Sequence, residues 1–166
     1  MTTNSPDKNT DGIYSGLRHQ ALVASRPEIG ISLPREKPVW GLLMETGYPS
    51  AAVTLFALSD GTTSLYFSNG GGILGGHSHQ NVRLANAAFI EVANQFWKQM
   101  NRCESFPSPE TGQTIFYGLT DSGVLTASGA EDDFGYGRHP LSQLFHAGHA
   151  VIAELRQISE SADQRG

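Results

Sequence analysis

Hydrophobic and polar positions alternate in two different rhythms along the chain. Ile13, Leu17 and Ala21 recur at helical spacing with Tyr14 alongside, which predicts a short helix over residues 12–24, weakened at Gly16. Residues 39–46, 52–58 and 63–68 are short apolar-rich runs. In the last, Leu65 and Phe67 alternate with Tyr66 and Ser68, the period of a strand with one covered face. Gly47-Tyr48-Pro49 separates the first two runs and Asp60-Gly61 the next two, so the three form an antiparallel meander. Val82, Ala85, Phe89, Val92, Phe96 and Met100 then return to helical spacing and predict a long helix over 79–101 with that buried stripe. Residues 114–119 and 123–128 read as a second hairpin around Thr120-Asp121-Ser122-Gly123. Pro140 suits a first helical turn, and Leu141, Leu144, Phe145, Val151, Ile152 and Leu155 predict a last helix over 140–159.

The intervening segments lack either rhythm. Residues 1–12 are polar and read as a disordered tail, 13–38 as the short helix followed by a connector extended by Pro27, Pro34 and Pro38, 39–159 as one α+β domain, and 160–166 as a polar tail. Residues 103–112 and 131–138 read as loops. The order helix, three strands, helix, two strands, helix predicts a single α+β domain. Its sheet is antiparallel, five-stranded and meander-type, with helices packed on it, and the order excludes a doubly wound parallel fold. In element order the chain is similar to roadblock-like and profilin-like domains, which place a five-stranded meander sheet between helices.

Composition narrows the function classes. The chain has 166 residues, enough for one ordinary domain, and its only cysteine is Cys103, so an intramolecular disulfide and a cysteine-rich zinc cluster are both excluded. With Arg102 and Glu104 of opposite sign beside it, Cys103 reads as an inert thiol. The N-terminal residues carry no apolar core of the signal-peptide kind, and no apolar run approaches the roughly 18 residues of a membrane span. A cytoplasmic protein is expected. The net charge of −5 and the lack of a basic stretch point away from nucleic acid, and the apolar pattern points away from a membrane.

The densest candidate chemistry is the segment Asn69, Gly70, Gly71, Gly72, Ile73, Leu74, Gly75, Gly76, His77, Ser78 and His79. Gly70, Gly72 and Gly75 satisfy G-x-G-x-x-G between a strand and a helix, whose free N–H groups suit an anion. The fingerprint's helix, however, should open at the second glycine inside a βαβ unit, and no lysine follows as a phosphate-binding loop needs. A turn built on positive φ is the ordinary account. Gly76-His77-Ser78-His79-Gln80 approximates a nucleophile elbow with Gln80 in place of its last glycine. Capping the following helix is the simpler role for Ser78. His77 with His79, and His146 with His149, form two pairs that could serve zinc if they converged, although neither has a recognised metal-motif spacing. No cofactor is expected.

The long helix also shows a second apolar strip, Ala87, Ile90 and Trp97, bordered by Arg83, Asn94 and Lys98. Either the connector before residue 39 or another chain covers such a strip. Phe134 and Tyr136 in the second glycine-rich loop are further candidates for contact. The expectation that follows is a non-enzymatic protein-interaction module, an adaptor or an inhibitor- or immunity-type binder. Its partner is another protein or a second copy of itself, and Ala87, Ile90, Asn94, Trp97, Phe134 and Tyr136 form its interface. The alternatives are a small-ligand or anion site, or an enzyme, at the glycine loop 69–79, and a metal-dependent hydrolase using the two histidine pairs.

Overall fold

The computed structural model describes residues 8–23, 37–73 and 78–164. Helix α1 (Lys8–Val23) leads to strands β1 (Gly41–Gly47), β2 (Ala52–Leu58), β3 (Thr63–Phe67) and β4 (Gly72–Ile73). Helix α2 (Gln80–Phe96) and a 3₁₀ turn (Trp97–Gln99) precede β5 (Asn101–Cys103), β6 (Gln113–Thr120) and β7 (Gly123–Ala130). Helices α3 (Glu131–Gly135) and α4 (Ser142–Gln164) close the chain. One sheet runs β4-β3-β2-β1-β6-β7-β5 with every pairing antiparallel. The α+β class and the three-strand meander expected from sequence are present.

Among the described residues the sheet has seven strands rather than five. One addition lies in the glycine segment, where only loop was expected, and the other where the predicted long helix gives way to loop. Gly72 and Ile73 pair with Tyr66 and Leu65, because Gly70 and Gly71 take positive φ (108° and 86°) and fold the chain back tightly after β3. At the other edge, Asn101–Cys103 pairs with Val124–Thr126. The long helix consequently ends at Phe96, short of its predicted end at residue 101. The first helix starts at Lys8, so residues 8–12 of the predicted disordered tail are helical, whereas 1–7 lie outside the described residues. The last helix runs on to Gln164 through most of the predicted polar tail.

Alternation along β1 assigns the two faces. Leu42 and Met44 join Leu55, Ala57, Leu65, Phe116 and Leu125 under α2 and α4, which contribute Val82, Phe89, Ala93, Leu144, Val151 and Leu155. Leu43 faces the other way, with Trp40, Leu58, Ile115, Tyr117 and Leu119, and meets Leu22 of α1. Gly148 permits the closest helix approach: a Cβ there would lie 2.7 Å from Met44 Sδ and 3.1 Å from Phe89.

Helix α2 is rotated from its predicted setting. Its buried residues are Val82, Asn86, Phe89, Ile90 and Ala93, with Ala85, Val92 and Phe96 only half-buried. A polar residue sits in the middle of that face because Asn86 Nδ2 donates to the Leu58 carbonyl at 2.8 Å. Asn94 fixes the same rotation from outside: its Oδ1 accepts the Val39 N–H (2.9 Å) and its Nδ2 donates to the Val39 carbonyl (3.0 Å).

Candidate functional site

Residues 131–139 form a short, heavily bonded segment rather than the open loop expected. Phe134 is the anchor. It is buried, stacked on Phe145 and His139 with ring centroids 5.4 and 4.0 Å away, and edge-on to Phe116. Backbone N–H groups of Tyr136, Gly137 and Arg138 donate to the carbonyls of Asp132, Phe134 and Asp133, and Gly137 supplies the positive φ (74°) that reverses the chain. Tyr136 is left standing 75% exposed, with the Arg138 guanidinium 5.1 Å from its ring centroid. Arg138 also bonds Asp133 at 3.0 Å, a surface pair that orients the side chain more than it stabilises the fold.

Tyr48 lies at the same end of the sheet. Gly112 links the two regions: its N–H donates to Gly47 O (2.8 Å) and its carbonyl accepts from Glu131 N–H (2.9 Å). Burial first, then the Glu131 charge, raises the Tyr48 phenol above its ordinary value. Burial and neighbouring Asp132 raise the Glu131 carboxyl.

Beyond Arg138 the chain borders a cleft of about 320 Å³, lined by Gln99, Asn101, Thr126, Ala127, Ser128, His139, Pro140 and Leu141. His139 Nδ1 accepts the Leu141 N–H (3.0 Å), so the proton of the neutral ring is on Nε2, which donates to the Ser128 carbonyl at 3.3 Å. His139 packs over Gly129, where a Cβ would come within 2.8 Å of its Cδ2.

A polar cluster occupies the opposite face of the sheet. Glu45 has no exposed surface. Both its oxygens take bonds from Arg18, and its Oε2 also accepts from Thr54 Oγ1 at 2.7 Å. Tyr14 OH lies 2.6 Å from that Thr54 hydroxyl. Arg18 reaches on to the carbonyls of Phe106 and Pro107, and Tyr117 OH donates to Pro107 O at 2.6 Å. Burial chiefly, with the Glu45 charge second, pushes the Tyr117 phenol up to about 12 and raises that of Tyr14. The groups are mutually satisfied, so the cluster pins α1 to the sheet. Sequence reasoning passed over it, although a lone carboxylate in the apolar run 39–46 was a signal that a cation must meet it.

The sequence-predicted sites fare unevenly. Of the glycine segment, Asn69, Gly70 and Gly71 make the β3–β4 turn and Gly72 enters β4, while residues 74–77, including Gly75, Gly76 and His77, lie outside the described residues. His79, not Ser78, takes the N-cap position of α2, and it makes no side-chain cap bond. Among the described residues no three His, Cys, Asp or Glu side chains stand close enough to hold a metal ion. His146 is exposed. His149 is half-buried against Phe145, and desolvation, then His146 and Arg156, lowers its pKa. The strip on α2 is divided: Ala87 is exposed, Asn94 is bonded to Val39, and Trp97 packs half-buried against the core. Ile90, at 6% exposure, is core and not interface, because Asn86 and Asn94 turn it inward. Phe134 is likewise an anchor in the core and not a contact residue.

No described helix is long and apolar enough to cross a membrane. The chain matches no family model, no curated protein and no solved structure.

Proposed function

We propose that the chain is a non-enzymatic protein-interaction module of the cytoplasm, an adaptor or inhibitor, whose recognition surface is the sheet end bearing Tyr136, Arg138 and Tyr48. The observation that carries this reading is Tyr136, a large amphipathic ring 75% exposed on a backbone already fixed by the buried Phe134. Tyrosine and arginine are the side chains that most often dominate interfaces. A segment ordered before contact gives up less conformational entropy on binding than a loose one. The exposed Asp132 and the Asp133–Arg138 pair supply a polar rim around the ring.

The test places a photo-crosslinking amino acid at position 136, and in a second sample at the exposed Ala153 of α4, in the protein's own cells. A discrete adduct with one polypeptide is expected from 136 and not from 153. With that polypeptide purified, Tyr136→Ala should weaken association by about 2 kcal/mol, roughly thirtyfold, and leave the melting temperature unchanged. Equal labelling from both positions, or an affinity indifferent to Tyr136→Ala, would reject this surface.

A further inference from the structure

We infer that this recognition surface continues into the neighbouring cleft, where the outer edge of β7 accepts one extended peptide segment of a partner protein as an added strand. The inference deepens the protein-interaction reading and rests on it.

The ladder geometry selects the groups on offer. Glu131 N–H bonds Gly112 O, which sets the alternation along β7: Gly129 and Ala127 turn their backbone groups toward β6, and Ser128 and Ala130 turn theirs outward. Two further observations agree. Thr126 and Val124, in phase with Ser128, are the residues opposite Asn101 and Cys103 of β5, and the Ser128 carbonyl meets His139 outside the sheet. β5 covers only Val124–Thr126, because the chain before Asn101 turns away as the 3₁₀ turn. The N–H groups of Ser128 and Ala130 therefore point away from β6, with Ser128 in the lining of the cleft and Ala130 just past its end, and no described residue takes them. The Ser128 carbonyl keeps a second lone pair beyond the bond from His139.

The lining specifies the occupant. Gln99, Asn101 and Thr126 offer neutral donors and acceptors, and Pro140 and Leu141 are apolar, so a short uncharged side chain faces Ser128. Where the edge ends, Glu131 and the exposed Asp132 begin α3, which favours a Lys or Arg just beyond Ala130. The edge lies between the 3₁₀ turn and the α3–α4 junction. A single segment fits there, whereas a strand of a second copy would bring its whole sheet with it.

A displayed library of random heptapeptides selected on the full chain, with winners synthesised and titrated by fluorescence polarisation, tests this. Peptides with a small uncharged residue and a basic end are expected. Their binding should slow exchange of the Ser128 and Ala130 amide hydrogens by roughly tenfold or more. Ser128→Pro, a change that edge strands tolerate, should weaken them about tenfold by removing one donor. Gln99→Trp, which fills the cleft while leaving every residue of β7 unchanged, should do the same if Ser128→Pro fails to fold. Winners that leave both amides unprotected, an empty selection, or a dimer in sedimentation that Ser128→Pro dissolves would each overturn the proposal. The two readings separate cleanly. A partner captured through Tyr136 while no peptide protects β7 refutes the edge alone, and peptides that protect β7 while Tyr136 captures nothing refute the Tyr136 surface alone.

Discussion

Arg18 closes both oxygens of Glu45 at 2.8–3.1 Å, joining α1 to the middle of the sheet through a carboxylate that has no contact with water. Removing the cation alone leaves that carboxylate buried with the Thr54 hydroxyl but no opposite charge beside it. Arg18→Met is expected to cost about 3–5 kcal/mol, whereas Arg18→Met with Glu45→Leu should recover most of the loss, since an apolar pair carries no desolvation penalty. Urea unfolding of both variants measures the difference, and a double variant no better than the single one would contradict the account.

Two glycines make opposite predictions from the same substitution. A Cβ at Gly47 would run into the backbone carbonyl of Glu110, which cannot swing aside; at Gly16, within α1, it meets none of the described residues within 4 Å. Gly47→Ala should destabilise the fold by about 1–3 kcal/mol through overpacking. Gly16→Ala should stabilise it by about 0.5–1 kcal/mol through helix propensity. Thermal melts of the two variants should move in opposite directions.

His149 gives the fold an acid-sensitive component. Its pKa is lowered from 6.5 in the folded chain by desolvation first and then by His146 and Arg156, and its buried Nε2 has no hydrogen-bond partner among the described residues. Above 6.5 the ring is neutral folded or unfolded and contributes no pH dependence. As the pH drops below 6.5 the unfolded chain takes up the proton first, so stability falls until the folded ring also titrates. His149→Gln should flatten the stability curve between pH 6.5 and 5 relative to the parent protein. Parallel curves would show that other groups set the slope.

Cys103 sits half-buried in β5, and desolvation raises its thiol above the ordinary value. Little thiolate is present at neutral pH, so a disulfide reagent such as DTNB should react more slowly with the folded chain than with the chain in urea. Equal rates in the two states would show that the sheet does not shield it.

Strands and helices with one strong period were readable because a single covered face dictates them: β2 begins and ends at the predicted residues 52 and 58. What periodicity missed depended on polar groups meeting far along the chain. Asn86 is polar and had no place in the predicted stripe of α2, yet its bond to Leu58 O places it at the centre of the buried face and turns Ile90 inward. Tyr14 and Arg18 share a face with Leu22, one position round from the apolar series 13, 17, 21, because Glu45 decides which side of α1 faces the sheet. Phe134 and Tyr136 looked equivalent in sequence. Their opposite fates follow from Phe145 and His139, whose rings no local pattern brings to Phe134. The cleft was invisible for the same reason, being formed where β5 and β7 part company.

The placing of β1 between β2 and β6 has a consequence during synthesis. The meander of the first three strands is complete once Phe67 has emerged from the ribosome, but β6 begins only at Gln113. At about 5–20 residues per second, β1 waits several seconds with one flank unpaired. A purely apolar flank would invite another nascent chain to dock there. Glu45 interrupts it with a charge, the device that stable proteins use on exposed sheet edges. The carboxylate that ties down α1 in the finished molecule thus also puts a charged group on the strand that waits longest for its second neighbour.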